Sequence, residues 1–111
     1  MPTQHIGTWS TTRYRNDAPD TPESIELTIT EDTNAGNLDG AYARPGSDAR
    51  LYGAVDTTGI VWTAQIDESG SSGDAGTAVF FVSADGNTLY GAWTSNQTGQ
   101  GPQPWFGTRV A

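Results

Sequence analysis

The sequence predicts an all-β fold, a single domain over 1–111 built as one antiparallel up-and-down β-barrel of about eight strands. Three observations predict it. Apolar and polar residues alternate with period two in segment after segment, and no helical period emerges. The composition is rich in Gly, Thr, Asp and aromatics and poor in Leu, Lys and Glu, which is turn and strand chemistry. Short connections make sequence neighbours pair in space, and an open eight-strand meander would leave two bare edges unless its first strand closed onto its last.

The elements follow in order. A first strand covers 7–12. Residues 13–23 hold Pro19, Pro22, Asn16, Asp17 and Asp20 and read as a loop. Over 24–30, Ile25, Leu27 and Ile29 share one face and Glu26, Thr28 and Thr30 the other. A turn at 34–37 leads to a third strand over 38–44, closed by Pro45-Gly46-Ser47-Asp48. The fourth strand covers 50–55 and the fifth 60–67. Residues 68–76 form a Ser/Gly/Asp loop before a sixth strand over 77–83. Asp85-Gly86 signals a hairpin into a seventh strand over 88–95. A Gly/Gln/Pro loop over 96–104 precedes the last strand, 105–110.

A short pattern recurs in Leu38-Asp39-Gly40-Ala41-Tyr42, Leu51-Tyr52-Gly53-Ala54-Val55 and Leu89-Tyr90-Gly91-Ala92-Trp93. In each, the Leu, the Gly and the final residue share a face. Glycine weakens a strand, but on the inner face it makes room for a large neighbour and lets a small barrel coil. The inward set is then Trp9, Ile25, Leu27, Ile29, Leu38, Tyr42, Leu51, Val55, Trp62, Ile66, Leu89 and Trp93. Phe80 and Phe81 compete for the inside.

Charge and composition exclude several functions. There is no cysteine, so neither a disulfide framework nor a thiol site exists. The net charge is -8, and all five cations are arginines. That argues against nucleic acid, whose phosphates need a basic patch, and against anionic membranes. No apolar run is long enough to span a bilayer. No basic segment with a following apolar run opens the chain. The sequence therefore predicts a cytoplasmic protein, or a secreted one from which a leader has been removed.

Gly7-Thr8-Trp9 on the first strand and Arg109 near the end of the last resemble the closing motif of the calycin superfamily, which includes lipocalins, fatty-acid-binding proteins and avidins. In that motif the arginine packs on the tryptophan at the closed end of the barrel. Within the superfamily the chain is most similar to the avidin/streptavidin family. Gly40-Ala41-Tyr42, Val61-Trp62-Thr63, Trp93 and Trp105-Phe106-Gly107-Thr108-Arg109-Val110 carry the likeness. The resemblance implies that Tyr42 bonds a ligand oxygen, that Trp93 walls a pocket and that Trp105 is lent to a neighbouring subunit. The chain departs from the family at Arg44, where a small polar residue is usual. Ile66 replaces a wall tryptophan, and Ser10, Thr11 and Thr12 stand where an asparagine is usual. The expectation is the barrel without biotin as its ligand.

The leading functional expectation is a small-molecule binder that takes an amphipathic or apolar ligand in the barrel cavity, lined by Tyr42, Arg44, Trp62, Ile66, Trp93 and Trp105. One alternative is a cofactor-free barrel enzyme, a cyclase or isomerase, with Tyr42 as acid and Arg44 as anion clamp. Another is an interaction or inhibitor barrel acting through its loops. No catalytic residue, metal ligand set or cofactor is expected: His5 reads as an exposed tail histidine, and Glu31-Asp32 and Asp67-Glu68 as solvated turn charges. Arg13, Tyr14 and Arg15 read as the start of a lid. A homo-oligomer is expected through the outer barrel face or Trp105, since one of Trp105 and Phe106 points outward.

Overall fold

A computed structural model of the chain describes residues 4–15, 18–31, 37–44, 47–68, 75–96 and 102–110. The expected turns at 34–36 and 45–46, and most of the loops at 69–74 and 97–101, lie outside them. Eight strands form one closed antiparallel barrel in sequence order. They are β1 (Gly7–Arg15), β2 (Ala18–Glu31), β3 (Asn37–Arg44), β4 (Ser47–Ala54), β5 (Val61–Glu68), β6 (Ala75–Val82), β7 (Thr88–Ser95) and β8 (Gln103–Arg109). Closure is made by β1 against β8, from Trp9 opposite Arg109 to Arg13 opposite Trp105.

Within the expected loop over 13–23, residues 13–15 and 18–23 are instead strand, and 16–17 lie outside the described residues. β1 runs on to Arg15 and β2 starts at Ala18, with a register shift between Arg13 and Arg15. Two prolines are tolerated there for a physical reason. β2 ladders with β3 only from Thr28 to Glu31, so its far edge at 18–27 has no strand requiring every N–H. β4 likewise begins at Ser47, inside the expected turn.

Alternation decides the core. Trp9, Leu27, Leu51, Trp62, Phe80, Leu89 and Trp105 are fully buried, and Phe81 and Phe106 face outward. Each large apolar side chain removed from water is worth roughly 1.5–3 kcal/mol. Gly91 makes room for one of them: a methyl group there would stand 2.4 Å from the ring of Phe80. Gly40 does the same for Trp62, at 3.2 Å. Gly53 departs from the expected role, because a methyl group there would meet the backbone oxygen of Thr63 at 2.1 Å. Its absence lets two strands approach.

At one end, two hairpins are tied by aspartates. Asp56 accepts from Thr58 Oγ1 and from the amides of Ile60 and Val61. Asp85 accepts from Ser83 Oγ and the Asn87 amide. Gly59 and Gly86 supply the positive φ that these turns need, at 76° and 78°. At the same end the Arg109 guanidinium lies 4.2 Å from the ring centre of Trp9. Among the described residues no helix is long and apolar enough to cross a membrane.

Candidate functional site

The barrel axis is occupied by a column of side chains. From the hairpin end, His5 meets Trp62 edge-on at 6.2 Å, Trp62 lies 5.8 Å from Phe80, and Phe80 meets Trp105 edge-on at 5.1 Å. Trp105 in turn meets Tyr42 edge-on at 5.2 Å. Arg13 completes the column. Its guanidinium carbon lies 4.5 Å from the ring centre of Trp93, 5.0 Å from that of Trp105 and 5.5 Å from that of Tyr42.

Arg13 is fully buried, which a cation tolerates only with a partner. Its Nη1 donates to Glu68 Oε2 at 2.7 Å, and its Nη2 donates to Glu23 Oε1 at 3.1 Å. The Tyr42 hydroxyl donates to the same Glu68 oxygen at 2.5 Å and accepts from Arg13 Nη1 at 3.1 Å. Burial works against the Arg13 charge, but the neighbouring oxygens of Tyr42 and Glu68 outweigh it and hold the guanidinium more firmly protonated than usual. Burial first, and the hydrogen bond and charge of Glu68 after it, push the Tyr42 hydroxyl well above its ordinary range. The hydroxyl therefore stays protonated as a donor.

The two tryptophans that flank Arg13 are pinned by their indole N–H groups. Trp93 donates to Tyr14 O at 2.7 Å, and Trp105 donates to Thr11 Oγ1 at 2.9 Å. These bonds fix the wall around Arg13.

The wall has a split beside this cluster. β2 and β3 pair only as far as Thr28 and Ala41, so their outer surfaces part beyond that point. A hollow of about 450 Å³ opens there, lined by Glu26, Thr28, Ala41, Tyr42, Ala43, Asp48 and Ala49. Tyr42 thus lines the hollow while its hydroxyl turns inward to the buried network.

The predicted site residues do not assemble as one pocket. Tyr42 lies at the cleft. Trp62 and Ile66 are core, and Trp62 donates its indole N–H to Gly53 O. Trp93 stacks on Arg13. Trp105 is fully buried, so it is not offered to a neighbouring subunit; Phe106 takes the outward place. The Arg44 side chain lies outside the described residues.

Three polar residues are placed differently from expectation. Arg13 is an inward strand residue rather than the start of a lid, because β1 does not end at Thr12. Glu68 is buried rather than solvated, because β5 runs one residue further and places it on the inner face. His5 is buried rather than exposed. Its Nε2 donates to Phe80 O at 3.0 Å, since a carbonyl can only accept, and its Nδ1 has no partner among the described residues. The signal for Arg13 and Glu68 was present: Trp9, Thr11, Arg13 and Trp62, Ala64, Ile66, Glu68 each continue an inward alternation. No group of His, Asp and Glu among the described residues is arranged to hold a metal ion. No family model matches the sequence, and no curated protein matches it.

Proposed function

We propose that the chain is a non-catalytic binding protein for a small amphipathic molecule, taken at the cleft where β2 and β3 part and not along the barrel axis. One observation carries the reading. The cleft of about 450 Å³ is lined by Tyr42, whose hydroxyl is held on the inner side of the wall by a buried carboxylate and a buried guanidinium. That network fixes the wall behind the cleft, which lowers the ordering cost when a ligand arrives. Alanines at 41, 43 and 49 supply an apolar floor, and Glu26, Thr28 and Asp48 a polar rim. This mix suits an amphipathic ligand. The resemblance to the avidin/streptavidin family, in which the matching tyrosine contacts ligand, supports the same residue. Binding is favoured over turnover because the Tyr42 proton is already committed to Glu68 and hard to remove.

The test is a thermal-shift titration against biotin and a panel of amphipathic metabolites. A ligand at about a thousand times its dissociation constant adds roughly 4 kcal/mol to stability. The shift is expected from a metabolite other than biotin. Ala43→Phe, at an exposed cleft position, is expected to abolish it without lowering the ligand-free midpoint. A shift that survives Ala43→Phe places the ligand elsewhere, and no shift with any compound overturns the proposal.

A further inference from the structure

The outer surface of the barrel is divided by charge. On one half, Glu26 of β2, Asp39 of β3, Asp48 and Arg50 of β4 and Asp67 of β5 point outward. On the other, formed by β6, β7, β8 and β1, no residue whose side chain is described and points outward is charged. The outward positions there are Thr, Ser, Ala, Pro, Val and aromatics. Val79, Phe81, Tyr90 and Phe106 are each 39–45% exposed, although they are large and apolar. The rings are already ordered: Phe81 stacks on Tyr90 at 5.3 Å and Tyr14 on Phe106 at 6.2 Å. Between them lies a hollow of about 490 Å³ lined by Val79, Phe81, Tyr90, Gly91, Ala92 and Phe106.

We infer that this face is where a second copy of the chain docks, as an isologous dimer. The charge distribution selects that occupant. A basic protein would seek the acidic half, and nothing on the neutral half would pair with it. Two copies each carrying -8 repel at almost every approach. Neutral face against neutral face is the approach that sets no carboxylate opposite another. A two-fold contact also requires a surface complementary to itself, and an uncharged one meets that condition without matched signs.

The size is adequate for a weak dimer. Four strands about 4.8 Å apart and about 26 Å long cover roughly 500 Å² per copy. That is the lower end of specific interfaces, for which micromolar affinity is expected.

Sedimentation velocity tests this from about 1 to about 300 µM protein, a range that brackets such an affinity. It is run at about 20 and about 500 mM salt, which changes the screening of the acidic halves. The expected result is a monomer–dimer equilibrium that tightens severalfold at high salt, the opposite of a contact made by ion pairs. Phe81→Glu with Tyr90→Glu is expected to weaken it at least tenfold. Val79→Lys with Phe106→Lys is expected to do the same, and serves if the first pair fails to fold. Tyr52→Glu, on the charged half, is expected to leave it unchanged. A monomer throughout, a dimer insensitive to both pairs, or one equally sensitive to Tyr52→Glu overturns the inference.

Discussion

Arg109 and Trp9 form the clasp of the barrel: the guanidinium lies over the indole face at 4.2 Å. Nε donates to Gly86 O at 2.8 Å, Nη1 to Ile6 O at 2.9 Å, and Nη2 to Gln4 O. One side chain of the last strand therefore ties the first strand, the leading segment and the β6–β7 hairpin. The planar fork is what makes this geometry available, and an ammonium cannot reproduce it. Arg109→Ala is expected to cost about 2–3 kcal/mol, from the lost cation–π contact and three carbonyls left without a donor. Arg109→Lys is expected to recover less than half of that. Urea unfolding of the three proteins checks both values.

Of the two carboxylates that pair with Arg13 among the described residues, Glu68 is fully enclosed, whereas Glu23 keeps some exposure. Glu68→Gln therefore leaves a buried guanidinium largely uncompensated, and is expected to cost about 3–5 kcal/mol. Tyr42→Phe removes two hydrogen bonds, to Glu68 and from Arg13, and is expected to cost about 2–3 kcal/mol. Arg13→Met with Glu68→Leu removes both charges together and is expected to be far milder than Glu68→Gln alone. A double-mutant cycle by denaturant unfolding decides it: additive losses would mean that the pair is not coupled.

His5 gives the fold a dependence on pH. Desolvation lowers its pKa below the ordinary 6.5, more than the Phe80 carbonyl and Asp56 raise it. The unfolded chain takes up a proton near pH 6.5 while the folded one does not. His5 therefore costs nothing above that pH, and its penalty grows as pH falls towards the lower folded value. The unfolding midpoint is expected to drop between about pH 6.5 and 5. His5→Phe is expected to flatten that part of the profile. An unchanged slope in the variant would mean that the carboxylates alone produce it.

Gly91 and Phe80 are matched in volume. Gly91→Ala is expected to destabilise by about 1–3 kcal/mol, because the new methyl group strikes the Phe80 ring and the Val79 carbonyl. Phe80→Leu in the same chain is expected to restore part of the loss. Phe80→Leu alone is expected to lose stability by leaving space beside Trp62 and Trp105. Thermal unfolding of the three variants separates overpacking from a backbone effect.

The barrel, its strand order and most of its core were legible because each depends on alternation, which the sequence displays residue by residue. Trp9, Leu27, Leu51, Trp62 and Leu89 needed nothing more. Arg13 and Glu68 obeyed the same alternation but were masked by their chemistry. A charge at the end of a strand reads as solvated until its opposite is known to arrive from across the barrel, and that pairing joins β1 to β5. His5 carried no local signal, since its burial follows from Arg109 and Trp9 holding the carbonyls of residues 4–6. The cleft was equally invisible, because it is created where a ladder stops.

The bond between Arg109 and the Ile6 carbonyl joins residues 103 apart in sequence. Closure of this barrel thus needs both ends of the chain to be in place. Until β8 exists, the free edge of β1 has no partner, and the tryptophans of the column have no lid of backbone over them. A chain emerging in order from its N-terminus passes through a stage in which seven strands are available and none can complete the ring. Loop entropy must be met before the final pairing repays it, which makes folding slow for a domain this small. An unpaired β1 edge during that interval is the point at which two nascent chains would trap one another. The clasp also governs how long the finished barrel lasts. If it forms after the folding barrier, changes at Arg109 act on the rate of opening and leave the rate of folding nearly untouched.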